Sequence, residues 1–318
     1  MIYSSERNRP SAERSPRNRL PGNAVLVILA AIVTISAASL FFLGDRSLPS
    51  IGNEHDFDES YVEELWNARR FEEILSITEN HLDHEPFDSA ALVFDGLASY
   101  FLAVELDNGE ESSTLIDRSV THLRRALALS QTHHRREAEY TLGLAYFERG
   151  EHYYDLVAEH LERAIDLGKE TTAVHEYLGV AYRNLGELEQ SIQHFRTAIE
   201  QEPRDITYLT LAETYRERQQ SEEAEEYLNR VISGSEEPRL VHEARLLLGR
   251  IYLEREQYED AYRQFNEVLE EDPNSADAQF YLGEYYYHTD DRVRARSYWR
   301  SAVNLDSGHR KALERLES

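Results

Sequence analysis

Residues 172–205 read TAVHEYLGVAYRNLGELEQSIQHFRTAIEQEPRD, and this stretch decides the fold. Tyr177, Leu178, Val180, Ala181 and Leu185 recur at helical spacing, with Gly179 in the middle of the run. A glycine inside a helix costs roughly 1 kcal/mol relative to alanine. It is tolerated where a neighbouring helix comes too close for a side chain, and Tyr182, one turn on, packs beside that contact. Asn184-Leu-Gly186 supplies a turn, because glycine takes the left-handed conformation that ends helices. A second helix follows, with Leu188, Ser191, Ile192, Phe195, Ala198 and Ile199 on one face. Glu202-Pro203 stops it, since a residue before proline is pushed out of the α region. The segment predicts a helix hairpin with bulky and small residues alternating along its inner seam.

The same unit recurs on both sides. A small residue is followed three positions later by tyrosine at Gly143/Tyr146, Gly179/Tyr182, Ala212/Tyr215, Gly249/Tyr252 and Gly283/Tyr286. The small residues lie 36, 33, 37 and 34 positions apart. A period of this length marks a stack of supersecondary units, each unable to bury its apolar face alone.

Gly179, Tyr182, Ser191, Phe195, Ala198 and Pro203, with Leu178 and Leu188, match the spacing of the tetratricopeptide repeat (TPR) signature. The segment resembles that family. The register also fits Leu211, Ala212, Tyr215, Ala224, Leu228 and Val231, then Leu248, Gly249, Tyr252, Tyr258, Ala261, Phe265, Val268 and Pro273. A fourth match is Leu282, Gly283, Tyr286, Ala295, Trp299 and Ala302, with Ser307 in place of the proline. In the repeat opened by Leu142, Gly143 and Tyr146 the second helix (Val157, Leu161, Ala164) comes two residues late. Gly96 and Ala126 read as the ends of a stretched repeat with Asp107–Ser113 as an inserted loop, and Phe71, Ile74 and Pro86 as a degenerate first unit. The resemblance implies an all-α, right-handed superhelical solenoid of about seven TPR hairpins over residues 58–308. Residues 309–318 read as a capping helix with Ala312, Leu313 and Leu316 inward.

The N-terminus carries a different signal. Residues 24–43 contain no charge, and twenty helical residues span about 30 Å, the thickness of a bilayer core. Arg7, Arg9, Arg14, Arg17 and Arg19 precede them; Asp45, Arg46, Glu54, Asp56, Asp58 and Glu59 follow. The positive-inside rule predicts a single transmembrane helix, with a basic tail (1–23) in the cytoplasm. A linker (44–57) and the repeats then stand outside, in the periplasm of a bacterial inner membrane. A cleaved signal peptide is the alternative, which would leave a soluble periplasmic protein. It fits less well, since Ser36-Ala37-Ala38 lies inside the apolar run and Phe41-Phe42-Leu43 closes it. A lipoprotein is excluded for want of cysteine, and no Arg-Arg pair marks a twin-arginine signal.

The chain carries −26 overall, and residues 1–43 hold five arginines against two glutamates, so the remainder carries −29. That balance excludes nucleic acid as a partner of the repeats, which could release no counterions from phosphates. It fits a self-repelling soluble surface or a docking face for basic segments. Without cysteine, the array tolerates an oxidising compartment. No His-Glu-x-x-His, phosphate-cradling glycine loop or Gly-x-Ser-x-Gly turn is present. His81/His84, His133/His134 and His152/His160 lack a further ligand nearby in sequence and read as solvated surface. No enzyme activity, cofactor or metal site is expected.

In the TPR family the first helix of each hairpin lines a concave groove that holds a partner. The resemblance therefore implies a groove lined early by Val93, Leu97, Tyr100, Phe101, Tyr140, Leu144 and Phe147. Its middle would show Glu176, Arg183, Asn184, Glu213, Arg216 and Arg250, and its last repeat Phe280, Glu284, Tyr287 and His288. The arginines are expected to meet carboxylates of an extended peptide or helix. The lysine and asparagine positions of the carboxylate clamp in chaperone-binding TPR proteins are not filled. The expected function is a membrane-anchored protein-interaction scaffold or assembly factor. A self-assembling homo-oligomer, stacked through Tyr285, Trp299 and the C-terminal helix, is the alternative.

Overall fold

The computed structural model describes residues 57–106 and 109–318, all within one compact unit that spans Ser47–Ser318. Among the described residues there are fifteen α-helices and no strand. Fourteen of them form seven consecutive hairpins. These are α1 (Glu59–Asn67) with α2 (Phe71–His84), α3 (Ser89–Glu105) with α4 (Glu110–Leu127), and α5 (Arg135–Glu148) with α6 (Tyr154–Asp166). Then come α7 (Thr172–Leu185) with α8 (Leu188–Gln201), and α9 (Asp205–Glu217) with α10 (Ser221–Gly234). The series ends with α11 (Pro238–Glu254) and α12 (Tyr258–Glu271), α13 (Ala276–His288) and α14 (Arg292–Leu305), and the single helix α15 (Arg310–Glu317). Each helix packs mainly on the one before and the one after it, so the array is an α-solenoid.

The glycines do what their spacing predicts. A Cβ placed on Gly179 would come within 2.7 Å of the Phe195 ring, and the Phe265 and Trp299 rings press on Gly249 and Gly283 in the same way. Each of these partners lies sixteen residues on. Ala212 makes room for a Cβ because its equivalent partner, Leu228, is smaller; both are fully buried. The late second helix of the third hairpin stretches the spacing to Gly143/Leu161, and the second hairpin stretches it to Gly96/Leu123. Ser191 locks the seam of the fourth hairpin by donating its hydroxyl to the Gly179 carbonyl at 2.7 Å.

The hairpin turns share a backbone device that the sequence shows only once. The N–H groups of Glu187, Gln220, Gln257 and Asp291 donate to the carbonyls of Tyr182, Tyr215, Tyr252 and Tyr286, at 2.8 to 2.9 Å. This is a Schellman closure, which needs a left-handed residue just before the donor. Gly186 supplies it at φ +81°, but Gln219 (+63°), Glu256 (+59°) and Asp290 (+64°) do so elsewhere.

Two expectations need correction. Glu110–Ser113 are not loop but the first turn of α4, where Glu110 and Glu111 complement the positive end of the helix dipole. The extra length of the second hairpin is therefore taken up in helices of 17 and 18 residues. In α15 only Ala312 is buried; Leu316 packs partly against the last hairpin and Leu313 is exposed.

Behind the second hairpin sits a buried charge. Asp95 accepts from Thr78 Oγ1 at 2.8 Å, from Arg118 Nε and Nη2 at 2.9 and 2.6 Å, and pairs with His122 Nδ1 at 2.5 Å. Burial alone would raise its pKa, but Arg118 and His122 hold it down to about 2. Among the described residues no helix is long and apolar enough to cross a membrane. The expected span at 24–43, the tail 1–23 and most of the linker lie outside the described residues.

Candidate functional site

The first helices of successive hairpins touch one another: α1 with α3, α3 with α5, α5 with α7, α9 with α11, and α11 with α13. No comparable contact joins the second helices among the described residues. The stack therefore bends with its first helices on the inside, and they form one concave wall.

That same curl covers many residues expected to line an open groove. Val93, Leu97, Tyr100, Leu144, Phe147 and Phe280 are buried, because the inner face of each first helix is met by the next. Phe101 packs on Trp66, Phe71 and Tyr100, at 5.2, 5.9 and 5.3 Å between ring centres, so the first hairpin covers it. Phe147 meets the Tyr177 ring edge-on at 4.8 Å. Tyr140 is half-buried, and desolvation pushes its phenol up to about 12. The early wall is thus less an apolar trough than a packed floor with phenol oxygens at its surface.

The middle of the wall differs. The buried Arg183 donates to Glu213 at 2.7 Å and to Glu217 at 2.6 Å, so its guanidinium is committed within the protein. Arg216 pairs with Glu254 at 2.9 Å. Arg250 lies over the Tyr281 ring at 5.5 Å. Glu176, expected at the surface, is buried and accepts from Arg204 at 2.9 Å and from Thr207. Asn184 is exposed and its amide returns to the Val180 carbonyl. In the last hairpin Arg315 of α15 reaches back to grip Glu284 with two bonds, at 2.9 and 2.6 Å. Its guanidinium also covers the Tyr287 ring at 4.9 Å, while Arg292 lies on that ring at 3.9 Å. The C-terminal helix therefore occupies part of the wall it was expected only to cap. Trp299 is 3 % exposed beneath Gly283, which removes it as an end-to-end stacking surface.

Several polar residues gain partners that sequence proximity hides. His160 is buried against Glu139 at 2.7 Å and stacks on Tyr146, contrary to a solvated-surface reading. His175 and His194 stack, with their Nδ1 atoms 3.0 Å apart, and His194 also stacks on Tyr182. Burial, aided by His175, lowers the His194 pKa to about 4. The signal was the tyrosine of the repeat signature. The residue twelve positions after Tyr182, Tyr215 and Tyr286 is aromatic, and each pair stacks. Two groups could hold a metal ion: Glu59, Glu63 and His134, and His81, Glu85 and Asp88. Each brings a histidine and two carboxylates to one spot on the first hairpins.

A tetratricopeptide repeat model matches residues 209–262 and 246–309, and a second matches residues 172–205. These segments are tetratricopeptide repeats. The chain is an all-helical TPR solenoid, and solved TPR structures share its fold. The C-terminal part of a TPR repeat-containing protein from Cytophaga hutchinsonii superposes with a TM-score of 0.58 at 14% identity, covering 81% of this chain and 98% of that one. A chain of the APC/C hetero-tetramer Cut9-Hcn1 gives a TM-score of 0.50 at 14% identity, over 92% of this chain and 52% of that one. At such identity the likeness concerns the fold. A search of curated proteins finds no match to this TPR chain.

Proposed function

We propose that this protein is a non-enzymatic interaction scaffold that holds a partner protein along the concave wall of its TPR array. The observation that carries this reading is the wall itself. Successive hairpins bring their first helices together on one side, where the accessible Tyr140 and Glu148 give way to Arg216, Arg250 and Tyr287. Photo-cross-linking groups at Asn184, Glu148 and Tyr287 test the reading in intact cells, with Glu222 on the exposed face of α10 as control. Capture of one defined protein from the wall positions and not from Glu222 is expected. The same products from all four sites, or none from a folded protein, would sink it.

The apolar, uncharged run at 24–43 supports a single-pass anchor, with the five-arginine tail cytoplasmic and the repeats outside a bacterial inner membrane. This scaffold would then serve a membrane or envelope assembly. Protease added to spheroplasts should digest the repeats while sparing residues 1–23, and alkaline carbonate should leave the chain in the membrane pellet. Release by carbonate contradicts the anchor.

A further inference from the structure

Between α2 and α3 the chain makes a tight corner. The Glu85 N–H donates to the His81 carbonyl at 2.8 Å and ends α2. The Asp88 N–H then closes on the Glu85 carbonyl at 3.1 Å, across Pro86 and Phe87, with proline at the second place of the turn, where its fixed φ is favoured. His81 stands one helical turn before Glu85, and the corner carries Asp88 round to both. One ligand atom from each of the three lies within 4.8 Å of the other two. His84, the residue that sequence spacing pairs with His81, turns its Nδ1 to the Asn80 carbonyl at 3.0 Å instead.

His81 is the informative member. Its Nε2 has no exposed surface and makes no hydrogen bond among the described residues. The ring is held in place by stacking on Phe57 at 5.0 Å. Asp88 Oδ2 stands 3.6 Å from Nε2, beyond hydrogen-bond distance. The other oxygen, Oδ1, is occupied as the cap of α3, accepting from the Ala91 N–H at 2.8 Å. Neither neutral tautomer of His81 resolves this. A protonated Nε2 is a buried donor without an acceptor, and a bare Nε2 turns its lone pair towards a carboxylate. Two atoms bound to one tetrahedral zinc ion, each about 2.0–2.1 Å from it, stand roughly 3.3 Å apart. The gap is therefore too wide for a shared proton and close to that of two ligands on a metal ion. Arg125, which donates to the Pro86 carbonyl at the same corner, forms an ion pair with neither carboxylate among the described residues.

We propose that His81 Nε2, the Glu85 carboxylate and Asp88 Oδ2 bind one divalent transition-metal ion, with zinc the best fit. One imidazole nitrogen and two carboxylate oxygens are a zinc donor set that leaves a position for water, whereas magnesium and calcium prefer oxygen alone. The cluster of Glu59, Glu63 and His134 is the weaker candidate, because Glu59 already bonds His134 at 2.7 Å and a proton suffices there. The site spans the end of α2 and the cap of α3, so the ion pins the first hairpin to the second. Metal binding to the folded chain alone raises its stability.

The test uses the untagged full chain in detergent micelles, stripped with EDTA and dialysed, then titrated with zinc chloride by calorimetry and melted with and without zinc. One equivalent should bind with a micromolar or lower Kd, survive a large excess of magnesium, and raise Tm by at least about 2 °C. Asp88→Asn keeps a capping oxygen for α3 but removes the charge, and it should weaken zinc at least about tenfold. Glu85→Gln and His81→Ala should do the same, while His84→Ala and Glu63→Gln bind as the parent does. No zinc uptake, uptake unchanged in Asp88→Asn and His81→Ala, or displacement by magnesium overturns the inference. So does a loss seen in Glu63→Gln and not in Asp88→Asn, which would put the ion in the other cluster. Zinc bound by these residues without any change in Tm would contradict the pinning of the two hairpins.

Discussion

The wall built by α3, α5 and α7 and the wall built by α9, α11 and α13 come from the same repeat but place their charge pairs differently. Arg183, at the end of α7, joins the two through Glu213 and Glu217 of α9, and the later wall pairs Arg216 with Glu254 and Glu284 with Arg315. The earlier wall pairs Asp95 with Arg118, Glu139 with His160 and Glu176 with Arg204, while Glu148 is exposed with no ion pair among the described residues. Pairs that cross from one hairpin to the next fix neighbouring hairpins in register.

The largest effect that bears on this contrast is expected at Arg183. Arg183→Met strands Glu213 and Glu217 near a buried position and should cost about 3–5 kcal/mol in chemical denaturation. A loss below about 1 kcal/mol would mean that the later wall is not held by its pairs.

Second is acid stability at Asp95, which packs behind the earlier wall. Its folded pKa of about 2 lies below the ordinary 3.8, so it stabilises the fold above pH 4 and loses that contribution as pH falls towards 2. The window is worth about 2 kcal/mol. Asp95→Asn should flatten that part of the stability–pH curve. His194 acts in a different window, because its folded pKa of about 4 lies below 6.5. Protonation is thus deferred in the native state, and stability drains away as pH drops from 6.5 towards 4; His194→Phe should keep the stack and remove that slope in melting temperature.

Third, Gly249→Ala drives a methyl into the Phe265 ring and should cost about 1–2 kcal/mol, the overpacking being partly offset by alanine's helix propensity. The smallest effect is the most pointed. Tyr100→Phe should leave stability within about 0.5 kcal/mol, because the hydroxyl removed has no internal partner to strand. A larger destabilisation would show that the hydroxyl is held inside the early wall.

Much of the architecture could be read from residue order. The small-residue period set the hairpins, and the late second helix after Gly143 reappears as the displaced Leu161 contact. The groove was less legible, because periodicity says which helix faces inward but not how tightly successive helices close on it. Val93 and Phe280 vanished into that closure. Arg183 was visible as a wall residue, but its partners lie 30 and 34 positions away, one repeat on. Asp107–Ser113 looked like a loop because acidic and small residues are turn formers as well as good first-turn residues. His134 had no ligand nearby in the chain, yet Glu59 meets it from 75 residues upstream at 2.7 Å.

The bends between paired helices hold one more consequence. Gln219, Glu256 and Asp290 keep an L side chain where the backbone is left-handed, at a cost of roughly 1 kcal/mol each that asparagine would lessen. Asp290 also pairs with Arg292, which lies on the Tyr287 ring of the wall, so Gln219 and Glu256 are the two corners that can be exchanged without touching it. Those two form a reserve from which heat tolerance can be drawn during evolution or engineering while the inner wall is left as it is.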